Sequence, residues 1–491
     1  MLDLLTADFK AVADAVNARK ISAVEVTQFF LKRTEKLNPQ LNAFVCMNQN
    51  AVRDAEKIDA AIASGQNNAP LAGVVFGIKD MLCTQEMPST AGSKILQGFI
   101  PPYDATVVDR LKKSGAVILG KLNQDEFAMG SSNETSYYGN CKNPWNTDHV
   151  PGGSSGGSAS AQSARLIMGA IGTDTGGSIR QPSSFCGIVG IKPTYGRVSR
   201  YGIISYASSL DQAGPMTSSV SDAAKSLEII CGVDANDSTT AKKPVDLFTK
   251  NLTSDIRGLK IGLIKEFMMG QSDRDVEKVF SDALNELKKM GAEIVEISIP
   301  LTEFSVPMYY LISASEASSN LSRYDGVKYG YRADFKDLAS VNLEDFYSET
   351  RGTGFGPEVQ RRIMLGTYCL SSGYYDAYYR KACQVRRLLK NQYDEAFKKC
   401  DVIFSPVTTT PAFKIGEKSS DPLKMYLNDI FTTSTNLAGL GGMSVPFGLS
   451  EKKLPIGVQL TCAPFQEQKI LNVAYALEKV SPVQGLVPNV Y

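Results

Sequence analysis

The chain has 491 residues, 43% of them hydrophobic and 21% charged, a composition typical of a globular protein large enough to bury an extensive core. Its 52 Lys and Arg residues against 51 Asp and Glu residues give a net charge of +1, which argues against a dedicated nucleic-acid surface. Nine cysteines without a C-x-x-C pair indicate reduced thiols. Because the sequence shows neither a secretory signal nor a long apolar run, we expect a cytoplasmic protein without membrane contact.

Helical patterns and short apolar runs alternate along the chain, which favours a sheet with largely parallel strands, flanked by helices. Residues 1–60 look helical, and Ser22 with Glu25 fits a capping box for a helix that Asn38-Pro39 is expected to stop. The predicted strands are 74–78, 116–119, 170–172, 259–264, 292–297, 402–404, 443–447 and 457–461. The main predicted helices after residue 60 are 107–114, 159–168, 273–290, 357–399 and 466–480. We predict one α/β domain over 1–491, with two lobes divided near residue 235 as the alternative.

The first of two glycine- and serine-rich segments is 152–158, which reads Gly-Gly-Ser-Ser-Gly-Gly-Ser before a predicted helix. One interpretation is a flexible linker. The other is a loop whose glycines permit close backbone approach and whose amides can hold an anion. Neither a Walker Gly-Lys-Ser/Thr nor a G-x-G-x-x-G pattern is present, so nucleotide binding is disfavoured.

The second segment is 172–180, in which Thr175-Gly176-Gly177 precedes Ser178. Consecutive glycines before a serine can direct several backbone N–H groups toward one point, which is what a developing oxyanion requires. Ser178 is not in a G-x-S-x-G elbow, which excludes the α/β-hydrolase pattern. A purely structural turn remains the alternative.

A serine nucleophile in this chain has few candidate bases, because the sequence contains one histidine, His149. His149 is interpreted as a turn residue, with a place beside Ser154 as the alternative. Lysine replaces histidine as the base in some serine hydrolases, and Lys79 follows the apolar run 74–78. Burial at the end of that strand would lower the pKa of Lys79 and allow a neutral amine. The alternative is a lysine whose head group is solvated.

The residues of 152–158, with those of 172–182 and 187–194, resemble the signature of the amidase signature family. The resemblance covers essentially the full length, with one small departure at Gly441, where proline is common in the family. It implies an α/β fold with a large mixed, mostly parallel central sheet covered by helices on both faces. The signature core would span about 70–230, after an N-terminal helical segment 1–60.

The family resemblance also implies a catalytic triad of serine, cis-serine and lysine. By motif, Ser178 would be the nucleophile, Ser154 the bridging serine after a cis peptide bond, and Lys79 the base. The backbone amides of Thr175, Gly176, Gly177 and Ser178 would form the oxyanion hole.

Segments 316–326 and 361–379 are similar to those of family members that act as glutaminase subunits of tRNA-dependent amidotransferases. This similarity implies glutamine as substrate, with Arg362 holding its α-carboxylate, Asp429 its ammonium group, and Tyr309 contributing. Structural ion pairs are the alternative roles for Arg362 and Asp429. No metal site and no cofactor are expected in this chain.

The same resemblance implies a heterotrimer that converts Glu-tRNA(Gln) to Gln-tRNA(Gln). A partner subunit would bind tRNA and use ATP and Mg²⁺, and a small third subunit would complete the assembly. Two other functions stay open at this point. One is a stand-alone amidase of the same family, and the other is a non-catalytic scaffold that binds an anion or nucleotide at the glycine loops.

Overall fold

A mixed β-sheet crosses the computed structural model, which describes residues 2–65, 68–268, 270, 272–337, 341–418 and 425–489. Within these residues the sheet has 11 strands, in the order β1-β3-β2-β4-β6-β5-β10-β11-β9-β7-β8. The strands are β1 Phe44–Met47, β2 Val75–Lys79, β3 Val117–Leu122, β4 Gly169–Asp174, β5 Val189–Lys192, β6 Gln212–Thr217, β7 Lys260–Ile264, β8 Glu293–Ile297, β9 Val402–Pro406, β10 Gly441–Leu449 and β11 Pro455–Cys462. Strands from both sides of residue 235, the boundary of the two-lobe alternative, therefore share one sheet.

The mixed sheet with its helices confirms the predicted α/β class, but the expectation of mostly parallel strands is wrong. In the described residues, β3-β2-β4 and β9-β7-β8 are parallel, whereas β1 and the central run β4-β6-β5-β10-β11-β9 pair antiparallel. The chain connects β10 to β11 through a short turn at 450–454. A connection this short can join only antiparallel neighbours, whereas parallel strands need a long crossover.

Helices contact the sheet along its length. They are α1 Phe9–Asn17, α2 Ala23–Leu41, α3 Ala51–Ala63, α4 Thr106–Lys113, α5 Gly156–Ser163, α6 Arg180–Cys186, α7 Val220–Ile230, α8 Arg274–Lys289, α9 Ser305–Leu321, α10 Leu343–Gly354, α11 Pro357–Leu370, α12 Lys381–Ala396, α13 Thr433–Leu437 and α14 Glu467–Val480. Helices α4, α7 and α14 form one connected group and α5 and α6 another, and β10 contacts both α14 and α6. Within the described part of the chain, no helix has the length and apolar character needed to cross a membrane.

Local signals predicted where several elements begin more accurately than where they end. The Ser22 capping box is present at the start of α2, but this helix continues through Pro39 to Leu41 and ends at Asn42 in the left-handed region. The N-terminal segment also contains a strand, β1, which the helical interpretation missed. The predicted helical block 357–399 divides into α11 and α12 around Gly373, whose φ of +86° breaks the helical path.

The sheet brings the two glycine-rich loops close to Lys79. Strands β2 and β4 are parallel neighbours, with Ile78 opposite Ile171, so their carboxyl ends lie at the same edge. Lys79 is the last residue of β2, and Asp174 ends β4 just before the loop that carries Ser178. Ser154 lies two residues before the start of α5, which packs on β2 and β4.

Candidate active site

Lys79 is fully buried and lies against the first glycine-rich loop. Its Nζ is 2.8 Å from Ser154 Oγ and 2.9 Å from Ser155 Oγ, with the Thr173 carbonyl oxygen at 3.4 Å. Burial lowers the pKa of Lys79 to about 7, although the charges of nearby aspartates oppose the shift. A substantial fraction of neutral amine is therefore present near pH 7, and its lone pair can accept a proton from a serine hydroxyl.

Ser154 and Ser178 lie on adjacent loops. Ser154 is fully buried and follows a cis peptide bond from Gly153, as the family resemblance implies. The Ser155 amide donates to the Ser178 carbonyl oxygen at 3.2 Å, which fixes the second loop beside the first. Ser178 retains 7% exposure, and its hydroxyl has no hydrogen-bond partner among the described residues. Of the three residues predicted to form the triad, Ser178 is thus the one whose side chain retains some exposure.

The backbone amides of the loop before Ser178, predicted to form the oxyanion hole, differ in whether they have a hydrogen-bond acceptor. Within the described structure, the amides of Thr175, Gly176 and Ser178 have no hydrogen-bond acceptor. The Gly177 amide instead donates to Asp174 Oδ1 at 2.8 Å, so its place among the free donors was predicted incorrectly. Gly177 has a φ of +143°, and a Cβ there would lie 2.4 Å from Thr432 Oγ1, so only glycine fits.

A buried ion pair that the sequence analysis did not assign holds this loop. Arg180 Nε donates to Asp174 Oδ2 and Nη2 to Oδ1, both at 3.0 Å, and neither side chain is exposed. Burial alone would raise the pKa of Asp174, but the charge and hydrogen bonds of Arg180 hold it at about 2. Arg180 also donates to Asn436 and Gln459, which are distant in sequence and gave no local signal.

Arg362 and Asp429 are both nearly buried, at 4% and 7% exposure. Arg362 lines a cavity of about 350 Å³ together with Ser131, Glu358 and Tyr426. The Ser131 hydroxyl donates to Asp429 Oδ2 at 2.5 Å, so Asp429 lies beside this cavity. Burial raises the pKa of Asp429 to about 7, while the hydrogen bond from Ser131 and the charge of Arg362 oppose the shift. The cavity thus offers opposite charges for the two ends of an amino acid.

Tyr309 connects this charged region to the Ser178 loop. It is buried on α9, and a Cβ on Gly176 would lie 2.7 Å from its ring. The structure therefore places Tyr309 against the oxyanion loop. His149 lies elsewhere, in the turn 143–149, where its amide donates to the Asn146 carbonyl at 2.9 Å. Its side chain lines a separate cavity that includes Asp273 and Lys414, which agrees with the turn interpretation.

In the described part of the chain, no group of three or more His, Cys, Asp or Glu side chains is placed to hold a metal ion. The candidate site contains a buried lysine, three serines and a loop of backbone amides.

The chain belongs to the amidase family, whose model matches residues 25–471. It is 68% identical over 489 residues to the glutamyl-tRNA(Gln) amidotransferase A-subunit of Bdellovibrio bacteriovorus, covering 100% of both chains. It is 52% identical to the A-subunit of the enzyme with the same name in Geotalea daltonii, covering 97% of this chain and 98% of that one.

Solved structures show the same fold. The glutamyl-tRNA(Gln) amidotransferase A-subunit of Thermotoga maritima matches with a TM-score of 0.82 and 39% identity, covering 100% of this chain and 99% of that one. The peptide amidase of Stenotrophomonas maltophilia matches with a TM-score of 0.82 and 30% identity, covering 99% and 98% of the two chains.

Proposed function

We propose that this chain is the glutaminase subunit of a tRNA-dependent amidotransferase that converts Glu-tRNA(Gln) to Gln-tRNA(Gln). The observation that carries the proposal is the full-length, 68% identity to a protein named as the A-subunit of such an enzyme. The Lys79–Ser154 contact at 2.8 Å and the charged cavity beside the Ser178 loop support it, because they fit a serine that hydrolyses the amide of an amino acid.

In the proposed reaction, Ser178 attacks the side-chain amide carbon of glutamine. Its proton passes to Ser154, which gives its own proton to neutral Lys79. The free amides of Gly176 and Ser178, with that of Thr175, stabilise the charge that develops on the amide oxygen. The relay returns a proton to the leaving nitrogen, ammonia departs, and water hydrolyses the glutamyl ester on Ser178.

Arg362 and Asp429 would hold the amino-acid end of glutamine. Among the described residues, Arg362 Nη2 has no hydrogen-bond partner, so it is available to the α-carboxylate. Asp429 accepts one hydrogen bond from Ser131, and as a carboxylate it can also bind the α-ammonium group. Tyr309, which packs against Gly176, would contact the substrate between these charged groups and the oxyanion loop.

The proposal assigns the remaining steps to other subunits. Activation of Glu-tRNA with ATP and Mg²⁺, and tRNA binding itself, would belong to one partner, and a small third subunit would complete a cytoplasmic heterotrimer. The net charge of +1 supports this division, because a tRNA-binding chain normally carries a basic excess. This chain would need no cofactor of its own.

The test is ammonia release from glutamine by the purified chain, alone and with its partner subunits, Glu-tRNA and ATP. We expect weak release alone, a sharp rise in the full mixture, and complete loss with Ser178→Ala because the nucleophile is absent. Acyl-enzyme trapped on the Ser178→Ala chain would refute the nucleophile assignment. The Ser221→Ala variant, which changes a partly exposed serine on α7, is the matched control and should behave as the parent.

The chain also matches the structure of a peptide amidase over its full length, so the test must distinguish the proposed function from that of a stand-alone amidase. Release of ammonia from many amides, unaffected by partner subunits or tRNA, would indicate a stand-alone amidase. Ligand binding that survives Lys79→Ala without any turnover in the parent would indicate a non-catalytic scaffold.

A further inference from the structure

Arg362 is held so that only part of its guanidinium faces the cavity. Its Nε donates to Glu358 Oε1 at 2.8 Å and its Nη1 to the Tyr206 hydroxyl at 2.6 Å. Glu358 also pairs with Arg361, so one carboxylate is shared between two guanidinium groups and does not by itself balance the charge of Arg362. The orientation of Arg362 therefore decides where this charge is presented.

Of the two residues that accept hydrogen bonds from Arg362, Tyr206 is the neutral one. Its own position is fixed by several contacts. Its side chain is fully buried, and its hydroxyl donates to Ser313 Oγ on α9 at 2.9 Å while accepting from Arg362. Its amide donates to Asp211 Oδ2 at 3.0 Å, and its carbonyl accepts from the Asn320 side chain at 3.1 Å. The centre of the Arg362 guanidinium also lies 5.6 Å from the centroid of the Tyr206 ring.

We propose that Tyr206 is a positioning residue that makes the site selective for amides bearing an α-carboxylate, because its hydroxyl turns Arg362 Nη2 toward the cavity. An arginine binds a carboxylate strongly only when its planar N–H groups are aligned with the two oxygens. Without the Tyr206 hydroxyl, Nη1 loses its acceptor. The guanidinium still packs near the Tyr310 and Tyr426 rings, but its hydrogen bond to Glu358 then has to set the direction of its N–H groups without the second bond. This inference rests on the proposed use of glutamine.

The test compares two ligands that differ only in the α-carboxylate, glutamine and 4-aminobutanamide. Their affinities for the full-length chain are measured by calorimetric titration, with Ser178→Ala in every sample to prevent turnover. We expect Tyr206→Phe to weaken glutamine binding about tenfold and to leave 4-aminobutanamide unchanged. Tyr393→Phe is the matched control, because the Tyr393 hydroxyl is also buried against a serine, Ser434, but does not contact Arg362.

In the active enzyme, the same substitution should raise KM for glutamine while kcat stays near the parent value. Equal glutamine affinity in the parent and Tyr206→Phe chains would overturn the inference, as would equal weakening of both ligands. If Tyr206→Phe does not fold, Ser313→Ala removes the group that holds the tyrosine hydroxyl. It should produce the same selective loss at about threefold, since a neutral hydrogen bond contributes less; no selective loss would again overturn the inference.

The outcome also separates this inference from the proposed function. A parent chain that binds glutamine in preference to 4-aminobutanamide, but releases no ammonia from it in the full mixture, would refute the proposed function. The role of Tyr206 would still hold if Tyr206→Phe removed that preference. A parent chain without that preference would overturn the role of Tyr206, whatever its activity.

Discussion

At the scale of single residues, the site depends on ionisable groups whose pKa values burial has moved toward neutrality. Lys79 and Asp429 shift in opposite directions, and both reach a pKa of about 7. In each case burial disfavours the charged form. In the proposed reaction the two residues have different tasks, since Lys79 must be neutral to accept a proton and Asp429 must be charged to bind an ammonium group. Both requirements are met by losing a proton.

The pH dependence of glutamine hydrolysis should therefore show two ionisations on its acid side. On the acid side of pH 7, the logarithm of kcat/KM should rise with a slope approaching two, because free enzyme must lose protons from Lys79 and Asp429. Asp429→Asn should weaken glutamine binding and reduce this slope to one. Steady-state rates between pH 5 and pH 9 test both statements. A slope of one in the parent would show that only one of the two groups controls the reaction.

At the scale of elements, the loop between β4 and α6 is the most constrained part of the site. Asp174 accepts from the amides of Gly177 and Ile179 and pairs with Arg180, so one carboxylate fixes both the loop and the start of α6. This fixing leaves the amides of Gly176 and Ser178 free while holding that of Gly177. The loop is thus organised by a charged side chain that is fully buried.

Replacing Asp174 with asparagine should destabilise the protein strongly. The change leaves Arg180 charged and buried without a carboxylate, which costs about 3–5 kcal/mol of unfolding free energy. Urea denaturation measures the loss, and the double variant Asp174→Asn/Arg180→Gln should recover part of it. Asp255→Asn is the control, because its pair with Arg257 is solvent-exposed and should contribute little to stability. Similar losses in the buried and exposed variants would contradict this role for Asp174.

The sequence predicted the elements that depend on local interactions and missed those that depend on contacts between residues far apart in the chain. The strand before Lys79 and the helix after Ser154 have local signals, an apolar run and small residues behind a glycine-rich turn, and both elements are present. The antiparallel centre of the sheet and the partners of Arg180 depend on contacts between distant segments. Asn436 and Gln459 lie more than 250 residues from Arg180, and no periodicity indicates such a pairing. The family resemblance supplied Arg362 and Asp429, but not Tyr206, which holds Arg362.

At the scale of the whole molecule, a site assembled from distant segments requires a rigid frame. Lys79 ends β2, Ser178 follows β4, Arg362 is on α11, and Asp429 lies just before α13. The sheet aligns the first two, and α9 joins them to the others, because Tyr309 packs on Gly176 while Ser313 holds Tyr206. This frame keeps Lys79 wholly away from solvent, and that has a cost in stability that depends on pH.

That cost should be measurable as a stability difference between the parent and Lys79→Met chains. The pKa of Lys79 is about 7 in the folded chain and about 10.4 when unfolded, so between these values the unfolded chain binds a proton that the folded chain does not. The contribution of Lys79 to the free energy of unfolding is therefore lowest at and below pH 7, and it rises up to about pH 10.4. The advantage of Lys79→Met should be largest near pH 7 and should shrink by on the order of 4 kcal/mol toward pH 10.4.

Urea denaturation of both chains at several pH values from 6 to 10.5 gives this difference directly, because other groups that titrate in the range are common to the two. Lys278→Met, on the exposed side of α8, is the control for replacing a lysine with methionine. A difference that stays constant with pH would mean that Lys79 keeps its proton when folded. It would then lack the lone pair that the serine relay requires, so the measurement tests the proposed chemistry without depending on turnover.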